Sequence, residues 1–593
     1  MDNNKNIEIV RHSMSHVLAS AVLKLFPDTK LGIGPAIANG FYYDFVFSDK
    51  ITEDDFVKIT EEMKKIINSE LDFEKTEVSK EDAISRMKEL KQDYKVELIS
   101  ELEDGTISFY KTGDFTDLCR GPHIENTKYL KSIAWEIEKQ AGAYFKGDEK
   151  NVMMTRIYVL CFSDRKELVA YKKMMEEAKR RDHRIIGKEM NLFHIDPIVG
   201  LGLPMWFPDG AMLWRVIEDF WYREHIKAGY ELVRSPHIGN RKLWEISGHW
   251  GFYSDSMYPP IEVSKSLKEA KNGENPDRLK EEYLLKPMNC PFHVMLYKAR
   301  PKSYKELPIR WAECGTVYRY EKSGEISGLS RVRGFTQDDA HIICDKSQVK
   351  AELMRVLDFI KFIFSSFGFT EYKVYLSMRD PNNKEKYAGS DEGWEFTQKV
   401  LEEVANEKEL DYIKEEGEAA FYGPKLDFKV KDCIGREWQC STLQFDFNLP
   451  ERFDMEFTNS KGEKERPYML HRALFGSFER FIGILIENYE GKFPFWFSPT
   501  QIDIVPVSTV HIEYAKKIRD LLLDNNFRIK LNEEDDALSA KIKKSTASFV
   551  PFIIIVGDSE IENKSISLRE RGSKNTIEIK LNEMIEFFNS KNK

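Results

Sequence analysis

Five segments in the middle of the chain constrain the fold more than any other feature: KELPIRWAECGTVYRYEK, VRGFTQDDAHIIC, YKVYLSM, EAAFYGPKLDFKVKD and EWQCSTLQFDF. Several of them alternate apolar with polar residues, and successive side chains of a strand point to opposite faces. Each segment therefore turns one face to a core and keeps polar groups on the other. The pattern predicts an antiparallel sheet with one face covered. No repeat of about 20–50 residues accompanies it.

What flanks these strands divides the chain. Upstream, Glu53 to Phe73 puts Phe56, Ile59, Met63 and Ile66 on one helical stripe opposite a charged face. Lys166 to Arg184 reads as a charged helix that hands over to the next unit, with a first boundary near residue 186. From Met190 the chain turns rich in Gly, Pro and aromatics. The run AMLWRVIEDFWYREHIKAG then predicts a helix ended by Gly229 and followed by the strand YELVRSPHI. The polar stretch from Glu262 to Glu282, with Gly273 and Pro276, reads as a surface excursion.

A second boundary falls within PFWFSP, residues 494–499. Beyond it QIDIVPVS, Phe527 to Leu531, PFIIIV and ISLRE read as short strands. They alternate with helices over Ile512 to Leu523, Ala537 to Lys544 and, at the end, Ile579 to Phe588, which indicates a small α/β domain. Its Lys541, Lys543, Lys544, Arg569 and Arg571 form either a basic surface or an ordinary solvated face. The expected organisation is an α+β multidomain protein, with domains over residues 1–186, 187–495 and 496–593.

Composition limits the function classes. The chain has 593 residues, and at ~150 residues per domain it holds several cores. A 41% hydrophobic content with 39 Phe, 25 Tyr and 10 Trp excludes a mainly disordered chain. Seven Cys cannot form a disulfide framework for this length and suit a reducing compartment. No leader signal opens the sequence and no apolar run reaches ~18 residues, so a cytoplasmic protein is expected, with no membrane partner. The net charge of -10 excludes a uniformly basic coat but leaves room for a local basic groove and an RNA partner.

Four constellations can carry chemistry. His12 and His16 are spaced so that one helix face holds both imidazoles about 6 Å apart, and Cys119-x3-His123 in TDLCRGPH adds a thiol and another imidazole. The set suits zinc, or a metal-free polar cleft in which histidines and a lysine position water. Cys290 and His293 in MNCPFH, His341 in DDAH and His471 in MLHRALFGS are too widely spaced for a structural zinc knuckle. They suit a zinc with three protein ligands and one open position, or are the scattered residues any large protein contains.

Arg319 ends a strand, Glu321 follows it, and Phe335 opens the next strand beyond a polar Gly/Ser turn. These offer a guanidinium for phosphate, an acceptor for an exocyclic amine and a ring on which a base can stack. Arg480 lies in HRALFGSFERFIGILIE, read as one helix from His471 to Glu487, where it meets phosphate or a counter-ion. The chain has no Walker sequence and no G-x-G-x-x-G after a strand, so nucleotide binding would rest on arginines and a sheet.

In order, RHSMSH, TDLCRGPH, RDHRIIG, SGHW, MNCPFH, YRYEKSG, RVRGFTQDDAHI, AAFYGPKLDF, WQCSTLQFDF and HRALFGSFERFIG resemble the motifs of bacterial-type threonyl-tRNA synthetases, a family of class II aminoacyl-tRNA synthetases. The likeness runs from about residue 10 to the end. It implies a class II antiparallel catalytic sheet flanked by helices, an N-terminal α+β editing domain of the threonyl/alanyl second additional type, and a C-terminal anticodon-binding domain. Motif 1, ending near Pro236, would form a homodimer interface. Motif 2 would carry Arg319 and Glu321, with Arg331 and Phe335 beyond its loop, and motif 3 would centre on Arg480.

The implied reaction joins L-threonine to threonine tRNA through an adenylate, using ATP with Mg2+. ATP would meet Arg319, Glu321, Arg331, Phe335, Gln439 and Arg480. Threonine would meet Asp339, Gln337, Tyr422 and Gln444, and one Zn2+ per chain would be held by Cys290, His341 and His471. His249 of SGHW would assist transfer to the tRNA ribose. His12, His16, Lys95, Asp117, Cys119 and His123 match the residues with which the family hydrolyses mischarged seryl-tRNA. Bacterial members do so without a bound zinc, so water oriented by His12 and Lys95 is the expected agent.

Physical chemistry explains the need for two sites. An apolar pocket separates threonine from isosteric valine by only about 10²-fold, whereas a metal with an open position disfavours the side chain that lacks a hydroxyl. Serine keeps the hydroxyl and lacks one methyl, a difference of ~1–3 kcal/mol, so later hydrolysis must remove it. Three departures accompany the resemblance. The family usually places a small ubiquitin-like domain ahead of the HxxxH helix, where eleven residues precede His12. Phe292 and Ser441 stand where it commonly has glycine, and both are expected beside the pocket, altering its shape. The stretch 259–282 reads as an insertion with no ligand role.

Overall fold

In the computed structural model the alternating segments of the middle region become one eight-stranded sheet. Its order is Glu231–Leu232, Ile309–Tyr318, Gly334–Cys344, Tyr468–Ala473, Glu437–Asp446, Lys425–Lys431, Tyr372–Met378 and Tyr412–Glu416. The interior pairings are antiparallel, as expected, while both edge strands run parallel to their neighbours. The structure describes residues 6–103, 105–148, 150–273, 280–432 and 435–592. It separates into one unit up to Glu177 and another from Ala178.

Burial sorts the two faces of this sheet. Ala340, Ile342, Leu426, Leu443 and Leu470 share a core with Leu353 and Ile360 of helix Val349–Ser366 and Phe481 and Leu485 of helix Phe478–Tyr489. The residues between them in sequence point the other way.

One expected helix divides here. His471 lies on the strand Tyr468–Ala473, paired on both sides, and the helix starts only at Phe478. Gly476 takes φ +78°, and Ser477 then caps the helix by accepting from the Arg480 amide. Two-sided ladder pairing outweighs the helical periodicity of the run.

The expected Lys166 to Arg184 helix is likewise two helices, Arg165–Arg181 and His183–Glu189, the second capped by Asp182. Proline at the first turn opens the helix Pro208–Lys227. The polar excursion begins and ends in the paired strands Ile261–Glu262 and Glu282–Leu285 and includes a short helix, Leu267–Lys271; Pro276 lies outside the described residues.

In the unit up to Glu177, helix Ile7–Leu25 buries Met14, Val17, Leu18 and Ala21 in one cluster with Phe41 and Phe45 of the strand Gly40–Val46. Helix Glu53–Asn68 buries Ile59, Met63 and Ile66, leaving Phe56 half-buried. A three-stranded sheet of Glu74–Val78, Ile107–Thr112 and Phe115–Leu118 completes the surroundings of Cys119.

The C-terminal region has the expected α/β alternation on a five-stranded sheet, ordered Ile529–Leu531, Ile502–Pro506, Phe552–Val556, Ser565–Glu570 and Thr576–Lys580. The last strand takes Ile579, so the closing helix is Leu581–Lys591. Of the five basic residues read as a basic surface or a solvated face, Lys541 is buried with Nζ donating to Pro506 O at 3.1 Å, Lys544 pairs with Glu534, and Arg571 binds the carbonyls of Phe549, Lys492 and Phe493.

Beneath His471, on the helix-facing side, Arg472 and Asp338 are both enclosed, 3.9 Å apart. Asp338 accepts from the amides of Leu474 (2.7 Å) and Gly476 (3.0 Å), which holds the chain leading into the helix. Burial pushes its pKa up to about 6 against the pull of Arg472. Arg472→Ala strands this carboxylate and is expected to destabilise the unit from Ala178 by about 3–5 kcal/mol. A denaturant midpoint unchanged from wild type would contradict the pairing.

Candidate active sites

Strand register brings the expected residues together. On the sheet face away from the helices His341 lies opposite His471, and Asp339 opposite Ala473. On the other side His471 faces Gln444, which faces Lys425. Gln337, Asp339 and His341 line up on one face because residues two apart in a strand do so. An irregularity at Phe428/Lys429, whose partners are Ser441 and Gln439, turns Gln439 to the same side as Thr442. Gln439 Nε2 donates to Asp427 Oδ1 at 2.7 Å and Thr442 Oγ1 to the same oxygen at 2.9 Å.

Above this face opens a cavity of about 780 Å³ bordered by Cys290, Arg319, Glu321, Arg331, Phe335, Gln337, Asp339, Tyr422, Gln439, Gln444, His471 and Arg480. At one end the Arg319 guanidinium lies 5.0 Å from the Phe335 ring centre and 5.7 Å from that of Tyr253. Arg480 Nε donates to Ser330 O at 3.0 Å. Burial lowers the Arg480 pKa, opposed by Cys440. Glu321 accepts from Arg331 Nε at 2.7 Å, so the carboxylate expected to meet an exocyclic amine is engaged here by an arginine. Three guanidiniums around an open cavity suit an anionic ligand.

At the other end the ligating atoms of Cys290, His341 and His471 lie within 4.8 Å of one another. Hydrogen bonds fix the nitrogen that each ring offers. Asp446 Oδ2 lies 2.8 Å from His471 Nε2; a carboxylate accepts, so the proton sits there and the lone pair on Nδ1. Glu313 Oε1 accepts from His293 Nε2 at 3.2 Å. His293 Nδ1 then accepts from His341 Nδ1 at 2.8 Å, leaving the His341 lone pair on Nε2.

The two lone pairs meet at 3.1 Å. They repel unless a cation lies between them, and tetrahedral zinc with ~2.0–2.1 Å bonds sets its nitrogens roughly 3.4 Å apart. Burial holds the His341 pKa well below the ordinary imidazole value, which suits a neutral ligand. Carboxylates behind ligating histidines are the usual outer partners of zinc. The donor set fits the metal.

Between the two ends, Asn289 Nδ2 donates to Asp339 Oδ2 at 3.1 Å and Tyr422 OH donates to Gln444 Oε1 at 2.7 Å. Burial raises the Asp339 pKa, opposed by His293 and His471. No local sequence signal marks Asn289, Glu313 or Asp446; Asn289 and Glu313 face their partners only across strand and helix packing. His249 is enclosed behind the cavity wall, with Nδ1 2.8 Å from Ser247 Oγ and Nε2 3.0 Å from Met288 Sδ. Burial depresses its pKa to about 3.

Neither glycine replacement borders the cavity, contrary to expectation. Phe292 packs edge-on against Trp244 and occupies the space that a Cβ at Gly239 would contest, 2.8 Å away. Ser441 points to the helix side and donates to Leu474 O at 2.5 Å.

The unit up to Glu177 holds a second polar site. One helix sets the His12 and His16 ring centres 5.6 Å apart. Cys119 Sγ lies 3.2 Å from His12 Nε2 and 3.1 Å from His123 Nε2, and Ser13 Oγ lies 3.0 Å from His123 Nδ1. Lys95 Nζ contacts Asp117 Oδ1 at 2.6 Å and donates to the Tyr43 hydroxyl at 3.0 Å, and that hydroxyl in turn donates to Asp117.

The four His and Cys ligating atoms lie within 4.8 Å of one another, so this buried cluster can also hold a metal. Burial lowers the pKa of His12, His16 and His123 and pushes the Cys119 thiol up to about 11. The imidazoles are therefore neutral proton acceptors, and the thiol is no nucleophile.

Comparison with known proteins agrees with this geometry. The family description "tRNA synthetase class II core domain (G, H, P, S and T)" matches residues 269–489, "Anticodon binding domain" matches 501–591, and "Threonyl and Alanyl tRNA synthetase second additional domain" matches 107–158. A threonine–tRNA ligase of Sulfurihydrogenibium sp. (strain YO3AOP1) is 46% identical over 589 residues, covering 98% of this chain and 88% of that protein. One of Borreliella burgdorferi (strain ZS7) is 46% identical over 578 residues, covering 97% and 96%. The crystal structure of the RNA binding domain of threonyl-tRNA synthetase from Cryptosporidium parvum Iowa II superposes with a TM-score of 0.64 at 34% identity, covering 69% of this chain and 98% of that one. With likeness of this extent over nearly the whole chain, the chain belongs to the threonine–tRNA ligase family of class II aminoacyl-tRNA synthetases.

Proposed function

We propose that the enzyme ligates L-threonine to threonine tRNA through a threonyl-adenylate and hydrolyses seryl-tRNA at its second site. The observation that carries this reading is the cavity itself, which joins three arginines at one end to two facing imidazole lone pairs and a thiol at the other.

In the first step the threonine carboxylate attacks the α-phosphorus of ATP, and the bond to pyrophosphate breaks. Negative charge grows on the phosphoryl oxygens, where Arg319 and Arg480 stabilise it. Mg2+ bound with ATP would share that charge. Phe335 stacks on the base, and Glu321, Arg331 and Gln439 border the same space. Cys290, His341 and His471 would hold one Zn2+ per chain, which when bound would supply Lewis acidity toward the substrate amine and hydroxyl. Asp339, oriented by Asn289, accepts from that hydroxyl, and Gln337, Tyr422 and Gln444 complete a polar wall. Valine leaves Asp339 without its partner, and sites built to bond a hydroxyl reject the analogue lacking it by about 10⁴–10⁵.

In the second step a terminal ribose hydroxyl of the tRNA attacks the carbonyl and AMP leaves. His249, expected to assist this transfer, is fully enclosed with both ring nitrogens engaged, so no proton step is assigned to it. Serine passes the first site, and the resulting ester is cleaved by water oriented by His12 and Lys95, without a metal. Burial keeps His12 neutral and so able to take a proton.

The reading divides the chain into an editing domain with its linker helix (1–186), a catalytic domain (187–495) and an anticodon-binding domain (496–593). A homodimer through the motif 1 region is supported by apolar side chains exposed just before and along its helix, Ile198 (96% exposed), Val199, Leu201, Phe207 and Met212. The free thiols of the described residues suit the cytoplasm; among those residues no helix is long and apolar enough to cross a membrane.

Arg480→Ala is expected to lower threonine-dependent ATP–pyrophosphate exchange by about 10²–10³; a change under about threefold would refute its place at the phosphates. His12→Ala is expected to accumulate seryl-tRNA while threonyl transfer stays within about twofold of wild type, read by aminoacylation with each amino acid. An unchanged serine error would overturn the editing assignment.

A further inference from the structure

The motif RDHRIIG has no part in the chemistry described so far, yet its histidine is almost wholly enclosed. His183 is 3% exposed at the start of the helix His183–Glu189. Both of its ring nitrogens are engaged. The Leu329 amide donates to Nε2 at 2.9 Å, so Nε2 carries the lone pair and Nδ1 the proton, which goes to Glu487 Oε1 at 2.7 Å. Glu487 also accepts from the His183 amide at 3.2 Å and from Arg436, itself bound to Asp432. Asp182, His183 and Glu487 lie close enough to hold a cation. An imidazole with both nitrogens used has no lone pair left for one, so the group is a hydrogen-bond relay.

The relay ends on the turn between the strands Ile309–Tyr318 and Gly334–Cys344. Across its tip Ser327 and Arg331 bond each other's backbone at 3.1 and 3.2 Å. Gly328 lies against the imidazole: its φ is +49°, and a Cβ there would stand 2.3 Å from Nε2. Ser330 O is the acceptor of Arg480 Nε. Two successive residues of the tip are thus pinned, Leu329 by His183 and Ser330 by Arg480, and the next residue is Arg331, which borders the cavity.

We propose that His183 is a positioning residue for the nucleotide: through the Leu329 amide it fixes the turn that presents Arg331 and, through Ser330, the aim of Arg480. The inference rests on assigning the Arg319–Arg331–Arg480 end of the cavity to ATP. The threonine end is built on the sheet face and does not share the relay, so losing His183 separates the two substrates.

The test is ATP–pyrophosphate exchange by the full-length enzyme with each substrate varied in turn. His183→Leu keeps the volume but leaves the Leu329 amide without an acceptor. It is expected to raise KM for ATP about tenfold or more, with KM for threonine within about twofold of wild type. His183→Gln, whose amide oxygen can accept from Leu329, is expected to recover most of the loss. Gly328→Ala pushes a methyl against Nε2 and should give the same split without touching Glu487; should His183→Leu fail to fold, this variant carries the same prediction. An unchanged KM for ATP, or equal rises in both KM values, overturns the proposal. Absence of threonine-dependent exchange in the wild type would instead overturn the reading of the ATP site on which it rests.

Discussion

Two imidazole lone pairs held 3.1 Å apart are the constraint around which the catalytic unit is organised. Left alone they repel. What keeps them facing each other is a buried frame whose members come from distant parts of the chain. Asp446 fixes one ring, and Glu313 fixes the other through His293. Glu313 is held in turn by the Ser235 amide and hydroxyl, at 2.9 and 2.6 Å, and the same hydroxyl accepts from Lys286. Burial would raise the Glu313 pKa, but His293, Lys286 and Ser235 together bring it down to about 2. The segment ending at Pro236 is thereby tied to the metal-binding face. A frame with this many satisfied buried groups specifies one arrangement, because any member left unpaired is costly.

On the proposed reading the two polar sites would solve different halves of one discrimination problem. The synthetic cavity would need the substrate hydroxyl, since Asp339 would otherwise be left without its partner. That arrangement is blind to a missing methyl. The second site is built instead from neutral imidazoles, a protonated thiol and a Lys95–Asp117 pair, groups that can hold and deprotonate water beside an ester. Its electrostatics follow from burial: desolvation is the leading cause of the shift at His12, His16, His123 and Cys119 alike.

Much of this was legible in the sequence where the signal is local. Alternation exposed the strands that carry Gln337, Asp339, His341, Gln439 and Gln444, and i, i+4 spacing put His12 beside His16. The periodicity of His471 to Glu487 predicts one helix, but the chain is helical only from Phe478. Nothing local says that His471 is paired on both sides, because its partners lie about 130 and 27 residues away in the chain. The same non-locality hid Asn289 and Glu313, and it hid the burial of Lys541, whose ammonium reaches a carbonyl inside the C-terminal domain. Phe292 and Ser441 look like pocket residues by position, but strand parity and helix packing turn both away. Spacing along the chain does not choose between scattered cysteine and histidine residues and a metal set; the tautomers imposed by Asp446 and Glu313 favour the latter.

The central claim is tested most directly by metal content and amino acid selection in His471→Ala, measured on the same preparation. The account predicts that zinc falls from about one per chain to a small residue, that threonine activation collapses, and that the preference for threonine over valine collapses with it, while the C-terminal domain and the unit up to Glu177 keep their folds. Zinc retained at the wild-type level, or an undiminished threonine-to-valine ratio without it, would contradict the account.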